Sequence, residues 1–66
     1  MDRKLVEVAR QAMDEAISEG MDVDDAKWMA QGAVMREGRN QGVIGEELTP
    51  EMQAAIEQVV KEAKRV

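Results

Sequence analysis

Most of the side chains here that could do chemistry are carboxylates. Histidine, cysteine and tyrosine are absent from the 66 residues, and the only hydroxyls are Ser18 and Thr49. Catalysis near neutral pH draws heavily on such groups, as proton carriers or as nucleophiles held next to a base. Thr49 precedes Pro50 and is explained by helix capping, and Ser18 falls on the polar face near a helix end. A carboxylate pair would still need a pocket of about 300–1,000 Å³, and so short a chain has little volume to build one. The sequence therefore predicts a non-catalytic protein with no cofactor.

The carboxylates cluster. Between Asp14 and Asp25 lie six of them (Asp14, Glu15, Glu19, Asp22, Asp24, Asp25) and no basic residue. As a calcium site the segment fails. An EF-hand loop continues the alternation with a further oxygen ligand, a glycine and a distal glutamate, whereas Ala26 and Lys27 follow Asp25. The Cys/His zinc sites have no ligands here, so no metal is expected. Asp22, Asp24 and Asp25 suit the start of a helix, where a capping oxygen and negative charge oppose the positive dipole end. Asp14, Glu15 and Glu19 fall in the last turns of the preceding helix, where the dipole disfavours them. That unfavourable choice points to use: these three would steer a basic surface of another protein. The competing reading is a solvated face that keeps a small protein in solution.

With 14 acidic and 9 basic residues the formal charge is −5, which disfavours phosphate backbones and anionic lipid. A helix-turn-helix would use the third helix for recognition, but Glu46, Glu47 and Glu51 flank its N-terminal end, and the preceding connection exceeds the usual turn. A helix-turn-helix DNA-binding protein is the remaining alternative, and no direct nucleic-acid partner is expected. No apolar run approaches the length of a membrane span, and Met1 to Leu5 is unlike a signal peptide. A cytoplasmic protein is expected, with no membrane partner.

Three helices must position these groups. From Arg3 to Glu19 the residues Leu5, Val6, Val8, Ala9, Ala12, Met13, Ala16 and Ile17 form one apolar half-cylinder. Gly20 supplies a left-handed stop and Asp22 caps the next helix, so the first two form an αα-hairpin with Met21 under the turn. The second helix is expected over about 23–37, ending near Gly38 or Gly42. Val43 and Ile44 then pin a glycine-containing loop. Thr49-Pro50 opens the third helix, over about 50–65, with the stripe Met52, Ala55, Ile56, Val59, Val60, Ala63 and Val66. The fold class is all-α: one domain over 1–66, a small three-helix bundle that dimerisation would complete. Leu5, Ala9, Ala12, Ala16, Val34, Ile56 and Val59 are the expected core.

Helix two has two apolar faces. Val23, Ala26, Ala30, Ala33 and Val34 share one, while Trp28, the only aromatic residue, and Met35 share the other, with Gly32 one turn after the tryptophan. Two packings satisfy this pattern. Either helices one and three flank helix two and Trp28 is core, or the stripe of Trp28, Gly32 and Met35 is a contact with another chain. A core this small yields only about 3–5 kcal/mol without reinforcement, and no disulfide or Cys/His zinc site can supply it.

The expected function is thus an acidic protein-binding module, a small regulator or inhibitor docking on a basic protein surface through Trp28, Met35, Gly32, Asp14, Glu15 and Glu19. Phage-encoded inhibitors of host machinery are the class analogy, with no sequence motif behind it. The alternative is a structural homo-oligomer subunit whose Trp28/Met35 stripe is the self-association seam.

Overall fold

The computed structural model describes residues 2–42 and 48–65. Helix α1 spans Arg3–Ser18, α2 spans Val23–Asn40 and α3 spans Pro50–Lys64, and each packs against the other two. This is the expected all-α three-helix bundle. The proposed anchoring by Val43 and Ile44, the position of Glu46 and Glu47, and the place of Val66 lie outside the described residues.

Each helix begins on a side-chain oxygen. Asp2 accepts hydrogen bonds from the amides of Lys4 and Leu5, Asp22 from that of Asp25 (2.8 Å), and Thr49 from that of Met52 (3.2 Å). Pro50 in the first turn of α3 has no amide to leave unpaired. The α1–α2 turn closes as a Schellman motif: the Met21 amide donates to the Ala16 carbonyl and the Gly20 amide to that of Ile17. Gly20 has φ +102°, a conformation strained for any residue with a β-carbon. Met21 packs against the core.

Helix α2 runs three residues past the expected end at Glu37. Gly38 is buried within it, and the stop falls at Gly42, with φ +90° and its amide bonded to the Arg39 carbonyl. Of the two glycines able to end the helix, the one with a positive φ does so. Gly38 stays helical on the buried side.

The core comprises Leu5, Val6, Ala9, Met13 and Ala16 from α1, Ala26, Ala30 and Val34 from α2, and Met52, Ala55, Ile56 and Val59 from α3. Among the described residues no polar side chain is buried. Ala12, an expected core residue, is only partly buried at its margin, and Ile17, at the end of the apolar half-cylinder, is 39% exposed.

Two ion pairs tie α3 to the hairpin. Arg10 donates through Nε and Nη2 to both carboxylate oxygens of Glu62, at 3.1 and 3.0 Å, and Lys64 lies 4.0 Å from Asp24. The second places the end of α3 beside the start of α2. The hydrogen bonds from Arg10 and then from Gln58 hold the Glu62 carboxyl below its ordinary value of 4.5. A carboxylate depressed on folding stabilises the fold above its unfolded pKa and loses that contribution as pH falls through the folded value. Unfolding followed by circular dichroism should therefore show stability dropping below about pH 4.5, with part of that slope missing in Glu62→Gln. At neutral pH, Ile56→Ala should cost about 2–5 kcal/mol, a large part of the roughly 3–5 kcal/mol that a core this small provides, read as a lower midpoint in chemical denaturation.

Candidate protein-binding surface

The close packing of α1 on α2 rests on small residues, and these also shape the surface beside it. Ala26 and Ala30 turn their face of α2 fully inward. Trp28 and Gly32 are therefore carried outward, because they lie on the far side of a helix with 3.6 residues per turn. Helix α3 does not cover them. Trp28 is 68% exposed and Met29 51% exposed, which overturns the packing in which Trp28 fills a gap between helices.

Beside Trp28 runs a groove of about 320 Å³ between α1 and α2. Ala12, Glu15, Ala16 and Glu19 line its α1 wall, and Trp28, Met29, Gly32 and Ala33 its α2 wall, with Arg36 one turn beyond Gly32. Its depth comes from the three alanines and the glycine, which leave the space between the backbones unfilled. Its rim carries the two largest exposed apolar side chains together with two carboxylates. A larger hollow of about 520 Å³ lies along α3, but Glu57, Gln58 and Lys61 dominate its lining and no large apolar group meets it.

The structure thus brings Trp28, Gly32, Glu15 and Glu19 together at one groove. It leaves two expected residues apart. Asp14 lies on the outer side of α1 with Glu7, Arg10 and Gln11, and Glu15 borders both surfaces. Met35 is half-buried and does not line the groove. Two groove residues carried weak signals in the sequence. Arg36 stands four residues after Gly32 and so shares its face; Met29 sits at the edge of the alanine stripe, where helical spacing alone leaves its exposure open.

Among the described residues, Gly32 has no structural reason within one chain. A β-carbon built on it would meet nothing within 4 Å, and no positive φ requires glycine there. A glycine inside a helix is nonetheless destabilising by about 0.5–1 kcal/mol relative to alanine. Among the described residues no three carboxylates converge to hold a metal ion, and no helix is long and apolar enough to cross a membrane. Comparison of the chain with protein-family models, with curated proteins and with solved structures finds no match.

Two outcomes follow for dilute protein. Trp28 should emit as a solvated indole and be quenched freely by acrylamide, and Trp28→Ala should change stability by no more than about 0.5 kcal/mol. Gly32→Ala should raise stability by about 0.5–1 kcal/mol in chemical denaturation.

Proposed function

We propose that this protein is a non-catalytic, acidic interaction module that docks on a basic surface of another protein along the α1–α2 groove. The observation that carries this reading is the exposure of Trp28 in the same groove as Glu15 and Glu19. Tryptophan is enriched among the residues that dominate binding energy, and a ring covered by a partner removes about 150–250 Å² from water. The carboxylates on the facing wall set the sign of the partner. They raise the encounter rate with a cationic surface and disfavour an anionic one. Asp14, on the adjoining side of α1, extends the negative field without reaching the groove.

Charge and connectivity weigh against nucleic acid as the partner. Nine residues separate Asn40 from Pro50, more than a helix-turn-helix connection uses, and Glu51 stands in the first turn of α3. The lack of histidine, cysteine and tyrosine supports a role without catalysis. A regulator or inhibitor that covers a basic site on its target, acting in the cytoplasm, fits these features.

Titration calorimetry with a lysine- and arginine-rich amphipathic helical peptide tests this reading. Binding is expected to weaken at least about tenfold between 50 and 500 mM salt. The paired change Glu15→Gln and Glu19→Gln should lose most of the affinity while leaving the melting curve in place. Binding that ignores both salt and these substitutions would contradict the proposal.

A further inference from the structure

The outer face of α2 carries a pattern of its own. Asp25, Trp28, Gly32, Met35 and Arg39 follow one another at intervals of three, four, three and four residues. That is the spacing of a seam between paired helices. Arg36 and Met29 border it. The charge along the seam is polarised, acidic at the start of α2 and basic at its end, with the aromatic ring, the glycine and a methionine between.

We propose that a second copy of this chain covers this face, the two α2 helices crossing antiparallel about a two-fold axis at Gly32. This arrangement rests on the reading of Trp28 as an interface residue and names what covers it. In a two-fold contact each residue meets its counterpart twice. With Gly32 at the axis, Asp25 falls opposite the partner's Arg39, and Trp28 falls opposite the partner's Arg36. The first is an ion pair made twice. The second places a guanidinium at an indole ring, a favourable cation–π contact. Antiparallel helices also set each positive dipole end beside a negative one.

Charge complementarity selects a second copy over a foreign helix, because the face already contains the opposite of each of its ends. Gly32 supplies an independent observation. Among the described residues of one chain nothing requires a glycine there, whereas two helix backbones crossing at that point approach most closely if neither carries a β-carbon. Glu15 and Glu19 remain on the α1 wall at the edge of the paired face, so a basic partner meets these carboxylates in the dimer and reaches Trp28 as well only in the monomer.

Sedimentation equilibrium from about 5 μM to 1 mM protein tests the inference, the range in which a small helix–helix interface is expected to associate. The natural chain should pass from monomer to dimer, with Trp28 emission shifting to the blue over the same range. Gly32→Leu should weaken dimerisation at least about tenfold without unfolding the chain, since the added side chain enters open space in the monomer. Asp25→Arg and Arg39→Glu should each be monomeric alone, through two repulsive contacts per dimer, and should associate when mixed in equal amounts. A chain that stays monomeric throughout overturns the inference, as does a dimer indifferent to Gly32→Leu and to the charge exchanges. If such a monomer still binds the basic peptide through Glu15 and Glu19, the heterotypic reading survives alone; a dimer of the expected kind that binds no basic peptide leaves the reverse.

Discussion

The structure depends on how closely α1 can approach α2. Ala9 and Ala16 on one helix, and Ala26 and Ala30 on the other, are buried almost without remainder. Side chains this small let two helices lie near the short end of the usual 8–10 Å separation. They also contribute little apolar area. At about 25 cal/mol per Å², an alanine seam stabilises far less than one of leucine, so the larger buried residues, Leu5 and Met13 of α1, Val34 of α2 and Met52 and Ile56 of α3, must supply most of the core.

That division of labour places Trp28. The inward face of α2 is filled by alanine and valine packed at short range, with no gap for an indole. The two rings of the tryptophan are consequently held on the opposite side, beside a groove that a second set of small residues, Ala12, Ala33 and Gly32 with Ala16 shared between the two, leaves open. The marginal core and the exposed aromatic are two results of one choice of side chains. A chain built in this way gains from covering that face, whether by a basic partner along the groove or by a second copy across α2.

Much of this was legible in the sequence. Gly20, Asp22, Thr49 and Pro50 mark helix ends through local chemistry that operates within a few residues, and the structure places them in those roles. Six of the seven expected core residues are buried, because their 3.6-residue spacing leaves little choice of face. The end of α2 was harder: Gly38 and Gly42 are equivalent as local stop signals, and only the burial of Gly38 separates them. Whether α3 covers Trp28 depended on the crossing of distant helices, which no periodicity encodes. The Arg10–Glu62 pair was invisible for the same reason, since its members stand 52 positions apart. Within the candidate surface, Trp28 and Gly32 were legible from the second apolar stripe, whereas the separation of Asp14 from Glu15 and Glu19 required the position of α2.

The chain contains a single indole, so one nuclear magnetic resonance signal reports on the central claim that Trp28 marks a contact surface. The measurement is the broadening of the Trp28 indole N–H by a paramagnetic co-solute, followed as protein concentration rises and then as basic peptide is added. In dilute protein the signal should broaden strongly, and it should become protected as the face is covered, while the amides of Val34 and Ile56 stay protected throughout. An indole already shielded in dilute protein, or one equally exposed under every condition, would contradict the claim.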